Sequence, residues 1–264
     1  MRRYPLLLAA ALAATVPAPV AAQFTAEELA LRESQEAFLA SAEIVESEQM
    51  DAEEGVTRPW RLVLREGGVE SRAVWKNLEG QRGGFWECWK CEIAAYRLDK
   101  HLGVDAVPPA VERRFKNENG AIILWIDHWI SGREKQDQNI AVPGAHISNW
   151  NDRTALQRAF DNLIGNEDRH LGNVLITEDW RVILIDHTRA FRSTKKSMKQ
   201  LEYGEDKPMK RLPRGFVDKV RALDEPTLRG IVGEFLTDAE VEAVLARRTL
   251  LLEAIEAQGT ALYE

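Results

Sequence analysis

Two short apolar runs near the middle of the chain form its most informative hydrophobic pattern. They cover residues 174–176 and 182–185, and a polar turn separates them. Short runs of this kind on either side of a turn predict a β-hairpin. Asp168 precedes the first run, Asn173 lies at its entrance and Asp186 follows the second. Because the ends of a hairpin lie close together, these three side chains are expected to converge.

Most of the chain between residues 44 and 126 has the pattern of strands. Strands are predicted from Ile44 onward and at residues 61–64, 69–76, 110–113 and 121–126. Gly67 and Gly68 join the second to the third, and the third ends at Lys76. A lysine with apolar neighbours on a strand either reaches water at a sheet edge or points into a cleft that supplies an anionic partner.

Helices interrupt this pattern once and dominate after it. Residues 86–102 carry apolar side chains at helical spacing with Glu92 beside them, and Gly103 is expected to end this helix. Loops are predicted at 81–84 and 133–150. Asp152 is predicted to cap a helix that ends at Leu163.

Two capping boxes mark further helix starts. Thr25 with Glu28 begins a helix near the N-terminus, and Thr237 with Glu240 begins the longest helix of a helical region from 216 to 264. The sequence therefore predicts an α+β fold class. A small, sheet-rich N-lobe would cover residues 23–129, and a mostly helical C-lobe would cover residues 130–264.

The first 22 residues have the pattern of a secretory signal peptide. Arg2 and Arg3 precede an apolar run at 6–16 that is too short to span a bilayer, and Ala21 and Ala22 offer a cleavage site before Gln23. The alternative is a buried N-terminal helix. The mature chain is therefore expected to be exported, periplasmic or secreted, with no transmembrane segment.

Charge restricts the classes of partner. The chain has 35 basic and 42 acidic residues, which argues against general nucleic-acid binding. Between Arg189 and Arg214, however, basic residues outnumber acidic ones. This stretch is either a solvated loop or a surface for an acidic acceptor.

The chain has two cysteines, Cys88 and Cys91. A local disulfide or two free thiols is favoured over a redox or zinc site, because no suitable strand precedes the pair and no second pair is present. A thiol-disulfide protein remains a weaker alternative.

The chemistry of the central hairpin indicates a metal and phosphate site. Asp168, Asn173 and Asp186 offer oxygen atoms, two of them on acids, and such groups suit a hard cation such as Mg²⁺. Lys76 and Glu92 precede them in an order of parts that kinases share.

Residues 161–173, with the sequence DNLIGNEDRHLGN, resemble the catalytic loop of the four-jointed and secretory-pathway kinases. Phosphatidylinositol 3- and 4-kinases carry a similar Asp-Arg-His with a following Asn, and HipA-type kinases are more distant. Ile185-Asp186-His187 resembles the metal-binding Asp motif. Residues 92–98 through 107–109 resemble the small-lobe helix and the strand after it in the secreted branch. The resemblance covers roughly residues 44 to 230 and identifies an atypical protein-kinase-like superfamily.

This resemblance implies a two-lobed kinase that uses ATP, or another nucleotide, with Mg²⁺ or Mn²⁺ and a hydroxyl acceptor. The implied roles are phosphate binding by Lys76, pairing of Glu92 with Lys76, a phosphate loop at Gly55 and Thr57, acceptor activation by Asp168, and metal binding by Asn173 and Asp186. Two features depart from the family. His187-Thr188 replaces the usual Phe-Gly, and the phosphate loop has one glycine. A catalytically inactive nucleotide- or anion-binding protein is the alternative, and the acceptor class (protein, lipid or sugar) stays open.

Overall fold

The computed structural model describes residues 24–51, 57–82, 84–196 and 209–264. The predicted signal peptide lies outside these residues. In the described part, a sheet-rich N-terminal region precedes a helical C-terminal region, so the α+β class is confirmed. The boundary predicted between residues 129 and 130 stays a prediction.

The N-terminal region is built on a five-stranded antiparallel sheet and a separate two-stranded hairpin. Its strands are β1 (Glu43–Gln49), β2 (Trp60–Glu66), β3 (Val69–Lys76), β4 (Glu79–Arg82), β5 (Phe85–Cys88), β6 (Ala110–Phe115) and β7 (Glu118–Leu124). The sheet has the order β1-β2-β3-β7-β6, and β4 and β5 form the hairpin. Side chains alternate along a strand. On β3, Ala73 and Trp75 therefore enter a core cluster, while Val74 and Lys76 face the other way. The predicted β2–β3 hairpin is confirmed.

Two helices pack on this sheet, α2 (Arg32–Ser41) and α3 (Trp89–Leu102), whereas the short helix α1 (Ala26–Ala30) precedes α2, and its Leu29 packs against Leu175 and Ile183. The capping box at Thr25 is confirmed. The apolar face of α3 is buried, and Gly103 ends the helix in the left-handed region at φ 70°. The predicted start of α3 at residue 86 is wrong, because β5 continues to Cys88, whose Sγ accepts a hydrogen bond from the Cys91 N–H. Residues 81 and 82 of the predicted loop lie instead on β4, which pairs with β5.

The C-terminal region contains α4 (Gly132–Asp137), α5 (Ile147–Leu163), α6 (Arg214–Ala222), α7 (Glu225–Val232) and α8 (Asp238–Ala257). The loop predicted at 133–150 is wrong in part, because a capping box at Ser131 starts α4. Asp152 is not a helix cap: α5 begins five residues earlier, and the side chain is buried within it. The capping box at Thr237 is confirmed.

The central hairpin is present as predicted. It consists of β9 (Val174–Ile176) and β10 (Val182–Leu184), with β8 (Ile130–Ser131) on the outer edge of β9. A parallel pair, β11 (Arg211–Pro213) and β12 (Ala261–Tyr263), was not predicted. None of the described helices combines the length and apolar character needed to cross a bilayer.

Candidate active site

A cleft of about 670 Å³ lies between the N-terminal sheet and the central hairpin. Of the seven residues predicted from the sequence for the site, six line this cleft: Thr57, Lys76, Glu92, Asp168, Asn173 and Asp186. The seventh, Gly55, lies outside the described residues. One strand, one helix and one hairpin thus bring Lys76, Glu92 and Asp186 together, although Lys76 and Asp186 are 110 residues apart in sequence.

The cleft is lined by both apolar and charged side chains. Its apolar walls come from both regions: Val74, Val107, Ile123 and Leu124 belong to the N-terminal one, and Leu175 and Leu184 to the central hairpin. An apolar slot with a few convergent polar groups is the usual form of a small-molecule site. A flat, partly apolar ligand with an anionic tail would match both kinds of lining.

Lys76 lies between two of the acidic side chains that line the cleft. Its Nζ donates to Glu92 Oε1 at 2.6 Å and to Asp186 Oδ1 at 2.8 Å. The Lys76 side chain is 12% exposed and that of Glu92 is 4% exposed, so their charges are largely shielded from water. Burial alone would lower the pKa of Lys76, but Asp186 and Glu92 outweigh it and raise this pKa above its usual value. The ammonium group is therefore held charged.

Asp186 has an unusual backbone and a stabilised carboxylate. Its φ of 58° lies in the left-handed region, which few residues other than glycine, asparagine and aspartate adopt readily. The Thr188 hydroxyl donates to Asp186 Oδ1 at 3.0 Å. Burial would raise the pKa of Asp186, but Lys76 and Thr188 hold it below its usual range. Asp186 is therefore an anion at any physiological pH.

Asn173 and Asp168 lie across the hairpin from this group. The Asn173 amide nitrogen donates to the backbone oxygen of Asp168 at 3.1 Å, and Asn173 lines the cleft. Among the described residues no group of three or more His, Cys, Asp or Glu side chains could hold a metal. The carboxylate of Asp186 and the amide oxygen of Asn173 still fit Mg²⁺ chemically, because this ion usually takes one or two protein ligands and completes its shell with water and phosphate.

A buried ion pair supports the loop that carries Asp168. Arg169 and Asp161 are 4% and 2% exposed and meet at 3.0 Å. Arg169 also donates to the backbone oxygens of Asn173 and Ile185, at 2.8 and 2.6 Å. The Arg169 guanidinium thus fixes the backbone at Asn173 and at the residue before Asp186, and these two residues are the predicted metal ligands.

Two residues of the cleft, Glu87 and Arg189, were not predicted as site residues. Arg189 contacts Glu87 at 2.8 Å and Asp168 at 3.0 Å, and its guanidinium lies 4.2 Å from the centre of the Phe85 ring. In the sequence, Arg189 is part of the basic stretch that ends at Arg214, and Glu87 lies in the predicted helix at 86–102. These two partners are 102 positions apart in sequence, so no local pattern signals their pairing.

A disulfide joins the two cysteines beside the site, which agrees with the favoured interpretation. Cys91 precedes Glu92 in α3, and the backbone N–H of Cys88 donates to the Thr188 oxygen at 2.9 Å. The bridge therefore connects the first turn of α3 with β5, and β5 contacts the segment after Asp186.

Comparison with solved structures shows the class of fold. The chain has a kinase-like α+β fold, with a sheet-rich N-terminal region before a helical C-terminal region. It is similar to the structure of hydra Fam20 with sugar, with a TM-score of 0.66 over 93% of this chain and 95% of that chain, at 18% sequence identity. No protein-family model and no curated protein matches the sequence. At this identity the similarity shows the fold alone.

Proposed function

We propose that this protein is an exported, metal-dependent kinase that transfers the γ-phosphate of ATP, or of another nucleotide, to a hydroxyl acceptor. The observation that carries the proposal is the position of Lys76, which is hydrogen-bonded to both Glu92 and Asp186 in a cleft with apolar walls. Phosphoryl transfer requires positioning and charge neutralisation, and these groups supply both.

Each side chain has a proposed part in binding. The apolar walls hold the nucleotide base, and Lys76 holds phosphate oxygens while Glu92 fixes its direction. Thr57 lines the same cleft, in keeping with a phosphate loop at Gly55 and Thr57. Asn173 and Asp186 would hold Mg²⁺ or Mn²⁺, which neutralises phosphate charge when bound.

Asp168 is proposed to orient the acceptor hydroxyl and to take its proton as the oxygen attacks the γ-phosphorus, while the bond from that phosphorus to the β–γ bridging oxygen breaks and the nucleoside diphosphate leaves. Its carboxylate lines the cleft and is one-third exposed, so an acceptor can reach it. The hydra Fam20 structure contains sugar, and a sugar hydroxyl is therefore one acceptor to test beside protein and lipid hydroxyls.

A nucleotide-binding protein without transfer activity is the second candidate. In its favour, Arg189 already pairs with Asp168 and Lys76 with Asp186, so both carboxylates proposed for catalysis have cationic partners. The two candidates agree on binding and differ on transfer.

One experiment separates them. The chain from residue 23 onward is mixed with ATP or GTP and Mg²⁺ or Mn²⁺, and both thermal unfolding and release of labelled phosphate to water or to an added acceptor are measured. Nucleotide at about 100 times its Kd should stabilise the protein by about 2.7 kcal/mol. No stabilisation by any of these pairs would refute both candidates.

Three variants assign the roles. Lys76→Met should weaken nucleotide binding, and Asp186→Asn should remove its metal dependence while Asn still tolerates the left-handed backbone. Asp168→Asn should keep binding and lower transfer by about 100-fold or more. Transfer that survives Asp168→Asn would exclude the proposed role of Asp168, and the absence of transfer in the unmodified protein would favour the second candidate.

A further inference from the structure

His187 is the residue at which the chain departs from the usual Phe after the metal-binding Asp. Its side chain is fully buried and lies between two charged groups. Its Nε2 is 2.8 Å from Nη2 of Arg169, and its Nδ1 is 3.5 Å from Oε2 of Glu92. One imidazole ring therefore stands between the catalytic loop and helix α3.

The chemistry of the partners fixes the position of the proton on this ring. A guanidinium group has only N–H donors, so Nε2 of His187 must accept. A neutral imidazole whose Nε2 accepts carries its proton on Nδ1. Nδ1 is buried and makes no hydrogen bond within the described residues, and the acceptor that it faces is Oε2 of Glu92, 3.5 Å away.

The two oxygens of Glu92 have different partners. Oε1 accepts from Lys76 at 2.6 Å, and Oε2 faces His187. The terminal torsion of a glutamate is broad, so a single partner leaves the carboxylate plane poorly defined. A second partner on Oε2 restricts that rotation and thereby the direction in which Glu92 holds Lys76.

We propose that His187 is a positioning residue whose Nε2 accepts a hydrogen bond from Arg169 and whose Nδ1–H donates one to Glu92. In this way it couples the Asp161–Arg169 ion pair of the catalytic loop to the Lys76–Glu92 pair. This role rests on the proposed nucleotide site, because Lys76 is the group through which His187 acts. A phenylalanine here would fill space but offer neither contact.

The first test needs no ligand. Long-range ¹H–¹⁵N correlation spectra of the imidazole rings at pH 7 report which nitrogen of each of the five histidines is protonated. The signal of His187 is the one that is lost in His187→Phe. The expected result is a neutral ring with its proton on Nδ1. A ring protonated on Nε2, or on both nitrogens, would overturn the proposal.

The second test is a double-mutant cycle on nucleotide affinity, with His187→Phe, Glu92→Gln and the double variant. Loss of a residue that orients a binding group typically costs about 10- to 100-fold, so His187→Phe should raise the Kd for ATP with Mg²⁺ by about 10-fold. Because His187 acts through Glu92, it should have little further effect in the Glu92→Gln background. Effects that multiply would show that the two residues act independently.

Two conservative variants test the contacts separately. His187→Asn keeps an N–H near the position of Nδ1, whereas His187→Gln keeps an acceptor near the position of Nε2 and has no donor toward Glu92. Binding is therefore expected to be retained better in His187→Asn than in His187→Gln, and the opposite order would contradict the proposal.

Failure of this inference differs from failure of the proposed function. If the unmodified protein binds no nucleotide, the proposed function fails, and the imidazole spectra still decide whether His187 donates to Glu92. If the protein binds nucleotide but the cycle is additive, the function stands and the role of His187 is refuted. Thermal unfolding of each variant identifies any that does not fold.

Discussion

Replacement of Asp161 by alanine tests whether the catalytic loop depends on its buried ion pair. The carboxylate accepts from Arg169 Nε at 3.0 and 3.2 Å, from Arg169 Nη2 at 3.1 Å and from Asn166 Nδ2 at 3.0 Å. Asp161→Ala removes all of these and leaves the guanidinium of Arg169 buried without a counter-charge.

The expected cost follows from this burial. Removing one partner of a buried pair typically costs about 3–5 kcal/mol, because the remaining charge is desolvated and unpaired. For a chain of this size, 1 kcal/mol shifts the melting temperature by about 2–4 °C, so the variant should melt about 6–20 °C lower. Urea unfolding followed by circular dichroism, with a parallel thermal scan, measures both quantities.

Asp218→Ala is the matched control. Asp218 pairs with Arg221 at 2.8 Å, also from within a helix, but the two side chains are 55% and 60% exposed. Exposed pairs typically contribute about 0–1 kcal/mol. If Asp161→Ala destabilises the protein no more than Asp218→Ala does, burial does not increase the contribution of the Asp161–Arg169 pair to the free energy of unfolding.

Three further outcomes are expected. A Cβ on Gly120 would lie 2.5 Å from the Lys76 backbone oxygen, so Gly120→Ala should cost about 1–3 kcal/mol in urea unfolding and should weaken nucleotide binding. Gly230 has open space around it, so Gly230→Ala should do neither. The Cys88→Ser/Cys91→Ser variant should lose about 2 kcal/mol by the chain-entropy relation for a four-residue loop, and a loss near zero would refute that relation here. Burial raises the pKa of Asp99 to about 7. An aspartate in the unfolded chain has a pKa of about 3.9, so the stabilisation from Asp99 is present below about pH 4 and is lost as the pH rises to 7. Asp99→Asn should therefore flatten the dependence of the free energy of unfolding on pH, measured by urea titrations over this range.

Local signals in the sequence predicted the parts of the fold that local interactions define. Each capping box, at Thr25 and at Thr237, forms within four residues, and the glycines at 67 and 68 form the turn that makes β2 and β3 a hairpin. The same reasoning failed at Asp152, because a side chain that favours a helix cap is instead buried inside α5, where it meets Arg211 from a distant strand. Tertiary packing outweighed the local preference there.

The candidate site divides in the same way. Asp168, Asn173 and Asp186 lie within 20 residues, so the hairpin pattern was enough to predict that they converge. The pairing of Lys76 with Glu92 followed from the order of parts in kinases and not from any local pattern. Arg189 could not be assigned a role from the sequence. Its partner Glu87 lies on β5, which pairs with β4, but the sequence had predicted a loop and the start of a helix in these two strands.

The bridge between Cys88 and Cys91 has a consequence for production of the protein. The chain has no other cysteine, so only one intramolecular pairing exists. Folding in an oxidising compartment then requires a single two-electron oxidation and no rearrangement of mispaired thiols. An expression host that supplies a thiol oxidant but lacks disulfide isomerase activity should therefore deliver the protein with its native connectivity.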